Sequence, residues 1–236
     1  MNALSVDLHN FLLEKGASLS GFADLTGIVQ GELQHGVSVA VRLPVPVLQS
    51  ISGGPSRIYF DAYHKINDQL DGLVTAGSEY LQSRGYRAHA KTRANVKEHP
   101  GYRTDLPHKT VATRAGLGWI GKSALLVTRE FGPAVRFSSL LTDAPLTLGE
   151  PIDKSKCGNC TACMDHCPGK AISGKLWNVA MDRDEFFDAA ACRKAARALS
   201  LDLLNEEISL CGKCIEVCPY TKGYTRRSME NERETL

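Results

Sequence analysis

The sequence predicts an α/β (α+β) protein in two parts: an N-terminal α/β cofactor-binding domain over residues 1–150 and a cysteine-rich module over 151–220, with a polar C-terminal tail at 221–236. Three observations carry this reading. All eight cysteines fall within the last 80 of 236 residues. The cysteine-free remainder shows helical and strand periodicities in alternation. The composition, 43% hydrophobic and 23% charged, is that of an ordinary globular chain, and no apolar stretch nears the ~18 residues of a membrane span. Met1 to Leu13 lacks a basic n-region and a small-residue cleavage site, so a cytoplasmic location is expected.

The elements follow in order. Leu4 to Leu13 predicts a short helix stopped at Lys15-Gly16. Ala17 to Phe22 and Val37 to Leu43 read as strands; Val37, Val39 and Val41 alternate with small or polar residues, and Pro44 and Pro46 end the ladder. After a turn at Gly53-Gly54-Pro55, the set Tyr63, Ile66, Leu70, Leu73, Val74, Tyr80 and Leu81 predicts the longest helix of the first domain, closed by Gly85. Tyr86 to Ala90 reads as a strand and Lys91 to Leu106 as a polar loop. Pro107 opens a helix through Arg114, stopped by Gly116. Leu125 to Val127 and Val135 to Leu141 predict a strand pair around Phe131-Gly132-Pro133, and Asp143 to Ser155 a linker. In the module, Asp184 to Leu204 predicts a helix carrying Cys192.

The cysteines carry the chemistry. They run Cys157-x2-Cys160-x2-Cys163-x3-Cys167-Pro168, then Cys192, then Cys211-x2-Cys214-x3-Cys218-Pro219. In the C-x2-C-x2-C-x3-C-P run of bacterial ferredoxins, three thiolates hold one four-iron cluster and the fourth reaches the other. The module therefore reads as a bacterial ferredoxin-like 2[4Fe-4S] unit. Cross-ligation assigns Cys157, Cys160, Cys163 and Cys218 to cluster 1, and Cys167, Cys211 and Cys214 to cluster 2. Position 208, where an intact second run would begin, holds Ile208, so Cys192 is assigned as the displaced fourth ligand. Disulfides fit worse without a secretory leader. Zinc would favour isolated C-x2-C pairs without three thiolates in seven residues.

Net charge is +2, unevenly spread. Between Arg84 and Arg114 eight Lys and Arg stand against Glu98 and Asp105, which predicts an anionic visitor or a solvated loop. Gly116 to Ser123 matches the phosphate-binding pattern G-x4-G-K-[ST] letter for letter. A phosphate loop leaves a strand and enters a helix; here the predicted helix precedes and the strand follows. Nucleotide hydrolysis is not expected, and the glycines are read as permitting close backbone approach.

Ala115-Gly-Leu-Gly-Trp-Ile-Gly-Lys122, then Leu125-Leu126, Phe131-Gly132 and Leu141-Thr142-Asp143, then the cysteine run, together resemble epoxyqueuosine reductase. That family reduces a modified tRNA nucleoside with cobalamin and two four-iron clusters and is related to the reductive dehalogenases. Ala62-Tyr63-His64 echoes its Asp-Tyr-His segment, Cys192 its lone upstream cysteine, and Gly21-Phe22-Ala23 gives a weaker echo. The resemblance runs from about Tyr63 to Pro219. Asp105-Leu106-Pro107 is shorter than the family's catalytic Asp-x-x-Pro, and His108-Lys109 replaces an apolar-acidic stretch. The chain ends 17 residues after Pro219, where the family carries a helical-repeat extension that helps engage tRNA.

The resemblance implies a shorter relative with a redox role. Electrons would pass from a ferredoxin- or flavodoxin-type donor through the clusters to a corrinoid, for cobalamin reduction or a cobalamin-dependent reduction, and no tRNA partner is expected. It implies Asp105, His108 and Tyr63 as catalytic candidates, and Gly116, Leu117, Gly118, Trp119, Gly121, Lys122, His64 and Lys109 as cofactor contacts. The alternatives are a cofactor-free electron-transfer adaptor and a flavin-linked iron–sulfur reductase.

Overall fold

The computed structural model describes residues 1–234. The chain runs α1 (Ala3–Glu14), β1 (Leu19–Asp24), β2 (His35–Arg42), α2 (Val45–Ser50), α3 (Arg57–Gln82), β3 (Ala88–Lys91), α4 (His108–Arg114), β4 (Trp119–Ile120), β5 (Leu126–Val127) and β6 (Val135–Thr142). There follow α5 (Ala162–Asp165), a 3-10 turn (Arg183–Glu185), α6 (Ala189–Leu204), α7 (Lys213–Glu216) and α8 (Pro219–Glu234). The mixed α/β class is the one expected. The chain forms two compact units, however, that are not two consecutive segments. The first gathers Met1–Val41, Lys65–Gly118 and Arg136–Asp153, and the second Arg42–His64, Trp119–Val135 and the chain from Lys154 onward.

The first unit is built on a four-stranded sheet in the order β1-β2-β6-β3. β1 runs antiparallel to β2 with Phe22 opposite Val37, and β3 antiparallel to β6 with Ala90 opposite Leu140. Six consecutive residues of β2, Gly36 to Val41, are buried, so both faces of this strand are covered and its valine alternation marks only one of them. On one face α1 and α3 approach: a side chain at Gly77 would meet Leu140 and Leu12. On the other, α4 packs Val111 and Ala115 against Ala23 and Leu25. A Cβ at Gly21 would lie 2.9 Å from Leu117, and one at Gly36 would lie 2.7 Å from Val111, so the strand glycines let α4 sit close. α1 begins where Asn2 accepts the Ser5 N–H at 2.9 Å, and it buries Leu8 and Leu12 one turn apart.

Gly116 follows the end of α4 with φ +73°, and a Cβ there would meet the Glu150 carbonyl at 2.7 Å. At Gly149 a Cβ would overlap the Ala115 carbonyl. Two backbone segments therefore cross without side chains between them, and the Gly149 N–H donates to Phe22 at 2.7 Å. Gly149→Ala is expected to destabilise the protein by about 1–3 kcal/mol, the usual cost of overpacking a site that cannot yield. A urea melt monitored by circular dichroism checks this.

Four local expectations are corrected. Pro44 and Pro46 do more than end β2: Pro44 stands at the N-cap and Pro46 in the first turn of α2, where a missing N–H costs nothing. Leu126–Val127 and Val135–Thr142 do not pair with each other; β5 pairs with β4 in a separate two-stranded ribbon, Trp119 opposite Val127, while β6 joins the large sheet. The helix expected from Asp184 begins at Ala189, capped by Asp188 accepting the Ala191 N–H at 2.9 Å. The stretch expected as a polar tail is largely α8, anchored in the second unit by buried Thr221 and Tyr224, with the Tyr224 hydroxyl donating to the Leu43 carbonyl at 3.1 Å.

Candidate metal centre

All eight cysteines are half-buried free thiols of the second unit. The first run bends at Gly158 and carries α5 between Cys160 and Cys167; Cys160 N–H donates to the Cys157 carbonyl and Cys167 N–H to that of Met164, both at 3.2 Å. After Pro168, a Cβ at Gly169 would lie 2.8 Å from the Ala191 carbonyl and 3.0 Å from Ala195. Only glycine lets the Cys167 loop approach α6, the helix that carries Cys192. The Ser200 hydroxyl of that helix donates to the Leu210 carbonyl at 2.7 Å, which fixes the strand of chain entering Cys211. At Gly212, φ +82° turns the backbone into α7 and so orients Cys214.

Burial and neighbouring thiols hold five of the thiols in their protonated form. Burial first, then Cys157, Cys218 and Cys160, push the Cys163 thiol up to about 11. Cys218 is likewise raised, by burial above all, with Cys157 and Cys160 as its thiol neighbours. Burial, then Cys167 and Cys211, push Cys192 up to about 11. Cys214 is driven up by burial and then by Cys211 and Cys192 ahead of Cys163 and Cys167. The thiol neighbours of Cys163 and Cys218 belong to the first foursome expected from cross-ligation and those of Cys192 to the second, while Cys214 also feels Cys163 of the first. Among the described residues, no three His, Cys, Asp or Glu side chains could hold a single metal ion; a cubane takes four thiolates spread around a larger body.

The donor set fits four-iron clusters in two further ways. Backbone N–H groups point at sulfur: Ala171 donates to Cys167 Sγ at 3.3 Å, Lys213 to Cys211, and Tyr220 and Thr221 to Cys218. Such bonds suit thiolates in a metal site. Lys122 is only 6% exposed; its ammonium donates to the Cys160 carbonyl at 2.9 Å and meets no carboxylate among the described residues. A buried cation is costly unless an anion accompanies it, and a thiolate-ligated cluster supplies one.

The raised thiols give the iron-free protein a pH dependence. Folded thiols keep protons that unfolded ones release near 9.0, so the stability they contribute is complete below that value and is lost as pH rises toward about 11. The urea midpoint of apoprotein is expected to fall across this window, and less steeply in a Cys163→Ser, Cys192→Ser double variant.

The other candidates are dispersed. Trp119 is 1% exposed, edge-on to Tyr220 at 5.1 Å between centroids, and a Cβ at Gly121 would meet Val127 at 2.8 Å and Cys157 Sγ at 3.5 Å. With Lys122, these residues face the cysteine loops. Gly116, Leu117 and Gly118 belong to the first unit, where Leu117 packs on the α4 cluster. Asp105 is exposed and pairs with His99 at 2.7 Å, whereas His108 is bound to the Ser139 hydroxyl at 2.8 Å. Tyr63 and His64 lie in the half of α3 that belongs to the second unit, their rings edge-on at 5.3 Å. Lys109 is half-buried on α4.

Burial, then Lys91, lower His108 to about 4, with Asp71 opposing. A depressed histidine contributes stability that is complete above about 6.5 and is lost as pH falls toward 4. About 3 kcal/mol is at stake at one unit per 1.36 kcal/mol. His108→Gln is expected to flatten the acid limb of the stability profile of the apoprotein, read from urea midpoints between pH 7 and 4.

Residues 156–221 match the model of the 4Fe-4S double cluster binding domain. The chain therefore carries the binding domain of two [4Fe-4S] clusters. It is 36% identical over 120 residues to epoxyqueuosine reductase of Lactococcus garvieae, covering 48% of this chain and 31% of that protein. To the enzyme of Atelocyanobacterium thalassa it is 30% identical over 210 residues, 84% of this chain and 62% of the relative. The chain thus spans only about a third of the length of several curated reductases it matches. Epoxyqueuosine reductase solved with a modified tRNA stem loop shares the fold over 94% of this chain and 66% of its own, with TM-score 0.60 at 19% identity. A reductive dehalogenase, for which a mechanism of B12-dependent dehalogenation has been suggested, does so over 95% and 32%, with TM-score 0.70 at 18%. The resemblance seen in the sequence is thus a resemblance of sequence and fold to these reductases. No helix among the described residues is long and apolar enough to cross a membrane.

Proposed function

We propose that the protein is an iron–sulfur reductase that takes single electrons from a redox donor protein, carries them through two [4Fe-4S] clusters and delivers them to a corrinoid. The observation that carries this reading is the match of residues 156–221 to the 4Fe-4S double cluster binding domain, with all eight half-buried cysteines in one unit; the reading assigns Cys157, Cys160, Cys163 and Cys218 to one cluster, and Cys167, Cys192, Cys211 and Cys214 to the other. Bound clusters would supply one-electron chemistry at potentials set by hydrogen bonds, charge and solvent exposure. The chain's part is to bury the thiols, aim N–H groups at them and hold a cation beside them.

The corrinoid is supported by the B12-dependent dehalogenase of the same fold, and not by the Trp119 to Lys122 segment. Those side chains are buried against the cysteine loops. Among the residues expected at the acceptor, Tyr63, His64 and Lys109 are retained as candidates. The tRNA stem loop held by a reductase of this fold makes tRNA a substrate to be tried beside small-molecule acceptors, against the expectation of no tRNA partner.

Anaerobic reconstitution with iron and sulfide, followed by titration with cob(II)alamin, tests the reading. Expected are a cluster absorbance bleached by dithionite and a changed cobalamin spectrum on binding. Clusters that assemble but leave cobalamin unbound would remove the corrinoid and keep the electron carrier; extraction of a native flavin would replace one acceptor by the other.

A further inference from the structure

We infer that Trp119 and Lys122 tune the cluster held by Cys157, Cys160, Cys163 and Cys218, the indole N–H by a hydrogen bond to one of its sulfurs and the ammonium by its charge, so that this cluster takes electrons at a higher potential than its neighbour. The inference rests on the ligand assignment proposed above.

The indole is buried, 1% exposed, and its Nε1 has no hydrogen-bond partner among the described residues. Buried indole N–H groups ordinarily find an acceptor, because leaving one unpaired costs about 1–3 kcal/mol. The surroundings point to where the acceptor lies. Trp119 and Gly121 are two residues apart, so they share one face of the β4 ribbon, and on that face Gly121 approaches Cys157 Sγ. On its other side the Trp119 ring meets Tyr220, two residues after Cys218, whose sulfur accepts the Tyr220 N–H. The orphan donor is thus flanked by two ligands of one cluster. Lys122 reaches a third through the Cys160 carbonyl.

The second foursome matches the first in backbone donors, with the Ala171 N–H on Cys167 and the Lys213 N–H on Cys211, so the two differ in the indole and in the nearby charges. Near Cys192 stands the carboxylate of Asp188, one helical turn earlier. The cation near Cys211, Lys213, is neutralised by Glu216 at 3.0 Å. Hydrogen bonds to sulfur and nearby positive charge favour the reduced, more negative cluster, whereas a carboxylate opposes it. The two environments therefore push the two potentials apart in a definite order.

The test uses the anaerobically reconstituted full chain and an electron paramagnetic resonance redox titration. Wild type is expected to show two potentials. In Trp119→Phe the higher should fall by about a tenfold change in the reduced-to-oxidised ratio at fixed potential, ~59 mV for one electron, with the lower unmoved. A measurement independent of that variant's folding uses protein labelled with 15N in its two tryptophans. A 15N hyperfine coupling to one reduced cluster is expected in wild type and in Trp177→Phe. Full iron content with unmoved potentials and no 15N coupling would overturn the inference alone. Failure of wild type to take up iron would overturn the ligand assignment beneath it.

Discussion

Cys192→Ala is expected to leave about half of the iron and acid-labile sulfide per chain, because a cubane with three thiolates is the incomplete member of the pair and the other four ligands are untouched. The remaining cluster should retain the higher potential, and electron delivery to any acceptor should drop by orders of magnitude while the fold persists. Cys192 contributes little packing that alanine loses, since it is half-buried on α6 and the helix is capped independently by Asp188. Iron and sulfide assay with electron paramagnetic resonance spin quantitation checks the outcome. Loss of both clusters, or of neither, would refute the placement of Cys192 in one foursome.

Lys122→Met is expected to act in opposite directions on the two forms of the protein. Without iron, the ammonium is buried with a carbonyl as its recorded partner, so an apolar side chain of similar length should relieve several kcal/mol of desolvation and raise the melting temperature. With iron, the same change also removes a countercharge from the cluster, beyond the hydrogen bond of about 1.5–3 kcal/mol to the Cys160 carbonyl that is lost in both forms. The reconstituted variant should therefore lose cluster 1 faster to chelator or air than wild type does. Parallel melts of apoprotein and chelation rates of holoprotein read both signs; a variant less stable in both forms would indicate a packing role alone.

How much of this was legible in the sequence varied with the range of the interaction. The double-cluster module could be read because cluster ligation constrains spacing within a few residues, and Ile208 at an expected ligand position is what makes Cys192 the proposed fourth ligand. The helix of α3 was legible for the same local reason, its apolar residues recurring at one face. The destination of Lys122 was not, since its partner lies 38 residues away, and the glycine-rich spacing around it equally suits a phosphate loop. Strand pairing failed likewise: Val135–Thr142 lies near Leu126–Val127 in sequence, but only the sheet decides that its neighbours are β2 and β3. Helix α8 was hidden by a polar surface and by Gly223, with Thr221 and Tyr224 as its buried signal. The prolines before α2 could have been found from their permitted place in a first helical turn. The N–H donors at Ala171, Lys213, Tyr220 and Thr221 carry no side-chain signature at all.

The interleaving of the two units bears on how the protein comes to hold iron. The unit that contains the cysteines also includes Arg42–His64 and Trp119–Val135, stretches translated well before Cys157, while Cys218, proposed for the first foursome, comes near the end of the described chain. A fragment beginning at Lys154 would hold every thiol yet lack Gly121, Lys122 and Trp119 beside them. The full chain is therefore expected to keep its clusters longer under chelator than a fragment beginning at Lys154, and the visible colour of each reports the difference.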